Sequence, residues 1–221
     1  MKALMIATTM TMLTAAPLLA QPAGRGYVTG AGGFAVTTDT TSGNAVGEVG
    51  VRIAPHLMVF GNLGHFHDLQ PSDAQSAVDG TTAALSATQG LAIIGTPRVP
   101  AWYSVGGLRY EISTHTRVLP YVSGGVGFAR LTPTAEFLYS SGTLPDGSTP
   151  TVGADVTGVL VTAGDFTAPA ATTAAMFTLG GGVEIPVARH WAVDAGYRFS
   201  RIDADTPLNA QGATFGFGYR F

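Results

Sequence analysis

The chain has 221 residues, enough for one domain with a sizeable core, and nothing in its composition marks a second unit. Its net charge of −3 excludes capture of nucleic acid by a basic surface, and the lack of cysteine excludes disulfides, a thiolate nucleophile and a cysteine metal site. Charged residues make up only 11 %, against roughly a quarter in ordinary soluble domains, while hydrophobic residues reach 46 % and glycine occupies 30 positions. So few charges would cover a soluble surface poorly.

The N-terminal segment predicts export. A single positive charge at Lys2 precedes an apolar run from residue 3 to 20 that ends in small residues, which is the pattern of a secretory signal peptide. We therefore divide the chain into a signal peptide, residues 1–20, and one further domain, residues 21–221. A membrane anchor is the alternative, but the run is short and interrupted by Pro17 and several threonines. No later run reaches the roughly 18 apolar residues of a transmembrane helix.

Alternation of apolar with small or polar residues predicts eight β-strands after this segment. The clearest is the last, where Phe215, Phe217, Tyr219 and Phe221 share one face and small or charged residues the other. In five segments all the charge is confined to one face. In chain order the predicted strands are 27–37, 48–53, 57–68, 107–112, 119–131, 177–185, 191–200 and 214–221.

The connections between these strands alternate in length. Short turns are predicted at 54–56, 113–117 and 188–190, and long connections at 39–44, 69–99, 132–173 and 203–212. This alternation is typical of an up-and-down antiparallel meander whose two termini share the short-turn end. An alanine-rich stretch at 73–87 predicts a helical turn or two, and residues 156–161 predict extended structure.

The direction of the apolar faces decides between a soluble and a membrane barrel. Apolar faces turned inward would leave eight charges to solvate eight strands, which is too few. Apolar faces turned outward would enclose four acids and four bases that can pair within a narrow lumen. We therefore predict an all-β protein: an eight-stranded antiparallel up-and-down transmembrane β-barrel over residues 21–221, with short periplasmic turns and long extracellular loops. The expected lumenal charges are Glu48, Arg52, Arg109, Glu111, Glu184, Asp194, Arg198 and Arg220.

Aromatic residues predict two girdles around such a barrel, because amphipathic rings favour both membrane interfaces. The girdle at the short-turn end would contain Tyr27, Tyr110, Tyr121, Trp191, Tyr219 and Phe221. The girdle at the loop end would contain Phe34, Phe66, Trp102, Phe128, Phe199 and Phe215.

Three C-terminal patterns carry a family resemblance: the Phe-x-Phe-x-Tyr-x-Phe ending at Phe221, the strand 180–185, and the segment 191–200. They resemble the small outer-membrane barrel superfamily that includes the OmpA membrane domain and the opacity-type adhesins. The resemblance extends over residues 27–221 and is most specific in the C-terminal third. It implies a place in the outer membrane and recognition by the barrel-assembly machinery during insertion, with Phe215, Phe217, Tyr219 and Phe221 as the insertion signal.

Candidate sites for chemistry are few. His65 and His67 share one face of a strand and form a conceivable metal-ligand pair, but no third ligand is identifiable. No serine, histidine and carboxylate have the spacing of a catalytic triad. We therefore expect no catalytic, metal or cofactor site and no enzyme activity.

The function expected from these patterns is structural or surface-interacting, in the manner of an adhesin. A balanced charge network would plug the lumen, and the long loops, which contain most of the acids, would contact an unknown extracellular ligand. Outer-membrane lipid would surround the barrel. The main alternative is a narrow or gated channel for small solutes, and a lipid-modifying enzyme of the outer membrane is the less favoured third hypothesis.

Overall fold

Eight antiparallel strands close into a barrel, which confirms the predicted fold. The computed structural model describes residues 26–38, 40–71, 73–114, 116–167 and 169–221, so the predicted signal peptide lies outside the described residues. Each barrel strand pairs with its neighbours in the order β1-β10-β9-β8-β6-β5-β3-β2, and a separate two-stranded sheet pairs β4 with β7. The elements are β1 (Gly26–Val36), β2 (Thr41–Ala54), β3 (Leu57–Phe66), α1 (Ala74–Gln89), β4 (Ala92–Arg98), β5 (Ala101–Glu111), β6 (Leu119–Leu131), β7 (Thr134–Ser141), α2 (Thr157–Ala163), β8 (Thr172–Pro186), β9 (Trp191–Asp203) and β10 (Leu208–Arg220).

The apolar faces of the strands look outward, as the alternation predicts. Val51, Tyr197 and Phe217 are 49 %, 53 % and 51 % exposed on three different strands. Successive side chains of a strand point to opposite faces, so the residues between these aromatics and aliphatics point into the lumen. Because the outside of the cylinder is apolar, a hydrocarbon environment suits it better than water.

Two connections predicted to be long are short. The strands β2 and β10 begin several residues earlier than predicted, which leaves only residues 37–40 between β1 and β2 and residues 204–207 between β9 and β10. The cause is continued pairing: Val36 still pairs with Thr41, and Leu208 with Ile202. The remaining two long connections, 67–100 and 132–171, lie at the same end of the barrel.

A hairpin extends one side of the barrel wall beyond its neighbours. Ala101 pairs with Leu131 in the barrel, and Arg98 pairs with Thr134 above it, so β4 and β7 keep the register of β5 and β6. Pro100 interrupts the first strand, yet its carbonyl still accepts a hydrogen bond from the Thr132 N–H at 3.0 Å. The ladder therefore continues from the barrel into the loops.

The two long connections, residues 67–100 and 132–171, contain β4 and β7, and together they form what we call the loop module. It has its own buried apolar core, separate from the barrel lumen. Neither connection would be long enough to fold alone, but together they bury side chains from both helices and both strands. The core contains Val78, Leu85, Leu91, Ile93, Phe137, Tyr139, Leu144, Val156 and Leu160.

The helices of the loop module differ from the predictions. α1 has 16 residues, longer than the predicted turn or two, and ends where Gly90 adopts a left-handed conformation with φ of 64°. α2 replaces the predicted extended structure at 156–161, because Leu160 packs into the module core and Gly164, with φ of 83°, ends the helix. Just before α2 begins, hydrogen bonds donated by Thr157 lower the pKa of the Asp155 carboxyl. Neither described helix is both long and apolar enough to cross a membrane.

The prediction of two aromatic girdles is wrong for three residues. Tyr27 and Phe66 are each 2 % exposed and point into the barrel, and Tyr121 is partly buried there. Their neighbours on either side face outward, so the alternation itself places these rings in the lumen. The other nine aromatics of the predicted girdles are on the outer face.

Closure between the first and last strands leaves no room for a Cβ at Gly212. A Cβ on Gly212 of β10 would collide with the backbone carbonyl oxygen of Phe34, whereas a Cβ on Gly30 would meet nothing within 4 Å. We expect Gly212→Ala to lower the free energy of unfolding by about 1–3 kcal/mol through overpacking. Gly30→Ala, the matched control, should change it by less than about 0.5 kcal/mol. Urea titration of the folded protein in detergent, followed by tryptophan fluorescence, measures both; equal effects would contradict the close approach.

Candidate functional site

Arg109 lies at the centre of the lower lumen and contacts three acids. Its guanidinium group donates a 2.7 Å hydrogen bond to Glu184 and lies 3.7 Å from Asp194 and 3.8 Å from Glu48. The side chain is only 3 % exposed, so water contributes little to its solvation. The three carboxylates come from three different strands, and the closed barrel brings them around one cation.

All eight expected lumenal charges join one set of ion pairs, which we call the lumenal network. Arg198 donates to Glu48 at 3.0 Å, and Arg52 donates to Glu111 at 2.6 Å. Arg220 links the Arg52–Glu111 pair to the group around Arg109. It donates to Glu111 at 2.8 Å and also pairs with Glu184. The charges sum to zero, which removes the largest cost of burying them.

Two tyrosines predicted for the outer girdle, Tyr27 and Tyr121, instead complete the lumenal network. The guanidinium carbon of Arg109 lies 3.6 Å from the ring centre of Tyr121 and 4.9 Å from that of Tyr27. The hydroxyl of Tyr27 donates to Glu48 at 2.7 Å, and that of Tyr121 donates to Asp194 at 3.0 Å. Each ring thus covers the cation while its hydroxyl satisfies a neighbouring carboxylate.

The space left inside the lumenal network is small. A cavity of about 20 Å³ remains among Glu48, Arg109, Tyr121, Asp194 and Arg198. A single water molecule needs roughly 10–15 Å³ of such space, so this cavity has room for about one. A hydrated ion or solute would require several side chains to move.

The upper lumen, toward the loop module, is apolar rather than charged. Met176, Ile202 and Ala101 are each 0 % exposed there, and Phe66 packs against Tyr103 with ring centres 4.8 Å apart. The polar core inferred from the sequence therefore fills only the lower part of the barrel. The apolar layer contains Ala35, Val46, Phe60, Phe66, Leu69, Val99, Ala101, Tyr103, Val105, Ala129, Leu131, Ala174, Met176, Ile202, Leu208 and Ala210.

The C-terminal strand places its aromatic face outward. Phe215, Phe217 and Phe221 are 64 %, 51 % and 53 % exposed, and Tyr219 is partly exposed beside them. Trp191 stacks on Phe217 with ring centres 4.9 Å apart. The strand β10 pairs with both β9 and β1, so these four residues belong to the seam that closes the barrel.

The histidine pair makes no metal centre among the described residues. His65 packs on Trp102, with ring centres 4.6 Å apart, at the outer face of β3. Within residues 26–221, apart from the few left undescribed, no three histidine or acidic side chains come close enough to hold an ion.

Removing Arg109 would leave buried carboxylates without their cation. We expect Arg109→Leu to reduce the free energy of unfolding by about 3–5 kcal/mol. Arg117→Leu, in an exposed turn, should change it by less than about 0.5 kcal/mol. The double variant Arg109→Leu with Glu184→Gln restores neutrality and should lose less than the sum of the single variants. Urea titrations test this; additive losses would contradict the electrostatic coupling.

Comparisons with known proteins identify the family. A family model described as outer membrane protein beta-barrel domain matches residues 5–221. Among solved structures, the Neisserial surface protein A has 16 % identity and a TM-score of 0.56, with 91 % of this chain and 100 % of that chain covered. The N-terminal barrel domain of OprF from Pseudomonas aeruginosa has 12 % identity and a TM-score of 0.51, with the same coverage.

At these identities the two structures show a shared fold alone, and no curated protein matches the chain. The family model, by contrast, covers nearly the whole sequence and agrees with the closed barrel and its apolar outer face. The chain belongs to the outer membrane protein β-barrel family, and its place is the outer membrane.

Proposed function

We propose that the protein is a non-catalytic surface-interaction protein, in which the barrel anchors a folded loop module outside the cell. The observation that carries this proposal is the module's own buried core, with Phe137 and Leu160 each 0 % exposed. Loops that only connect strands have no need of a core, whereas a binding surface gains from rigidity because less order is lost on binding. Neisserial surface protein A, whose name describes it as a surface protein, has the same fold.

A plugged lumen is the second part of the proposal. Two layers support it: the lumenal network fills the lower barrel around Arg109, and apolar side chains fill the upper barrel around Met176. Eight strands enclose a space that side chains can fill completely. An ion crossing this lumen would have to break charge pairs and also pass through an apolar layer.

A narrow or gated channel remains the alternative function. Its support is the partial exposure of the lower lumenal network, where the Arg52 and Arg220 side chains are 30 % and 27 % exposed, so that water reaches this end. The apolar upper layer opposes it. A lipid-modifying enzyme stays the less favoured hypothesis, because the lumenal acids are engaged in ion pairs or tyrosine hydrogen bonds.

The partners follow from the same arrangement. We propose that outer-membrane lipid surrounds the apolar outer face, and that the barrel-assembly machinery recognises the aromatic residues of β10 during insertion. Residues 1–20 would act as the export signal. The extracellular ligand would contact the loop module, and we propose no cofactor and no nucleic acid as partners.

Planar-bilayer recording tests the closed lumen. We expect the purified protein to give no reproducible openings, because both lumen layers would have to rearrange. A large porin inserted under the same conditions serves as the positive control. Regular openings by the wild-type chain that disappear in Arg198→Gln would favour the channel instead.

Disrupting the core of the loop module tests the surface role. Phe137→Ala should cost the module about 3–5 kcal/mol, the range for large-to-small core changes, and leave the barrel folded. Whole cells that display this variant should lose binding to immobilised matrix proteins, while the protein keeps its heat-modifiable gel migration. Val152→Ala, at a position 77 % exposed, is the matched control and should bind as wild type. Equal binding by all three proteins would contradict the proposed role.

A further inference from the structure

The two outer edges of the β4–β7 sheet differ in how their backbone groups are hydrogen-bonded. In an antiparallel ladder, a residue that bonds to one neighbouring strand turns its N–H and C=O away from the other side. Thr132 donates to Pro100, so even-numbered residues such as Ile94 and Thr96 bond to β7. The backbone groups of Ile93 and Gly95 therefore point to the opposite edge of β4.

Residues 153–157 fold back along the outer edge of β7 and hydrogen-bond to its backbone. Phe137 accepts a hydrogen bond from the Val156 N–H at 2.9 Å, and its own N–H donates to the Thr157 hydroxyl at 2.8 Å. Tyr139 donates to Ala154 and accepts from Gly153 at 2.9 and 2.8 Å. Four hydrogen bonds thus cap this edge.

The edge of β4 has no such cover among the residues that the structure describes. Its lower end is paired, because Leu69 donates to Val99 at 2.9 Å and the Gln70 side chain donates to Pro97. Above that point, no described group bonds to the backbone of Ile93 or Gly95. Two N–H and two C=O groups in a row thus have no hydrogen-bond partner among the described residues, and an unpaired strand edge is a template for another chain.

We propose that this open edge, the backbone of residues 92–96, binds an extended peptide segment of a partner protein by adding it as a strand beside β4. This inference rests on the proposed surface role and names the kind of partner. Alternating donors and acceptors spaced two residues apart are matched only by another polypeptide backbone. Ile94, 62 % exposed, and its partly exposed cross-strand partner Leu138 offer apolar contact on the same sheet face.

Charge indicates the composition of the partner segment. The described loop end carries nine acids against three arginines, so it attracts basic peptides and repels acidic ones. We therefore infer a partner segment that alternates apolar with basic residues. The acids are Asp68, Asp73, Asp79, Glu136, Asp146, Asp155, Asp165, Asp203 and Asp205, and the arginines are Arg98, Arg130 and Arg201.

Site-resolved amide exchange of the full-length protein in lipid nanodiscs tests the edge itself. Without peptide, the amides of Ile93 and Gly95 should exchange fast, while those of Ile94 and Thr96 should be protected by β7. A synthetic ten-residue peptide of alternating valine and arginine is the probe. At about ten times its Kd it should slow exchange at Ile93 and Gly95 about tenfold. The same peptide, N-methylated at every second residue, cannot pair and should have no effect.

A pair of lysine variants separates edge pairing from simple charge attraction. Ile94→Lys places a like charge beside the added strand and should weaken peptide binding about tenfold, or roughly 1.4 kcal/mol. Val161→Lys, at a position 48 % exposed on α2, adds the same charge away from the edge and should bind nearly as wild type. Equal weakening by both variants would show a diffuse electrostatic effect and overturn the proposal.

Three further results would also overturn it. Slow exchange at Ile93 and Gly95 in the free, dilute protein would mean that the edge is already covered. Protection that grows with protein concentration in the absence of peptide would identify a second copy as the occupant. Equal binding by the N-methylated peptide would exclude strand addition. If cells still bind matrix proteins while the peptide fails, only the β4 edge is rejected; if both fail, the surface role falls as well.

Discussion

A cation in a lumen too narrow to hydrate it is the constraint around which the lower barrel is organised. Arg109 is 3 % exposed, and three acids and two tyrosine rings surround its guanidinium group. In a medium of low polarity an unpaired charge costs several kcal/mol, so each partner has to arrive from the correct strand at the correct height. The partners lie on strands that are distant in sequence. They surround this cation only because the strands close into a barrel.

The sequence predicted the barrel well because strand alternation reports directly on which face meets which environment. Strand number, strand order and the outward direction of Val51, Tyr197 and Phe217 all followed from it. The same alternation put the charged residues on the inner face, but it could not pair them, because pairing depends on strand stagger. Tyr121 was misplaced by residue type: it shares its face with Ser123 and Gly125, and this pattern, rather than aromaticity, was the correct guide.

The loop module was beyond sequence reasoning for a physical reason. Its core joins residues from two connections, such as Val78 with Phe137, and neither connection shows a complete amphipathic pattern alone. The β-branched residues 156–161 favour strand structure locally, but burial of Leu160 outweighs that preference and a helix results. Tertiary packing thus decided the structure wherever local patterns were weak.

The unbroken register between barrel and hairpin has a mechanical consequence. Because β4 and β7 continue the β5–β6 ladder across Pro100 and Pro133, the loop module is joined to the wall by paired strands rather than by a tether. A pull on the module directed away from the cell runs along those strands. Such a load is shared by many backbone hydrogen bonds in shear, instead of peeling them apart one after another. The anchorage is therefore stiff along the direction that leads away from the membrane.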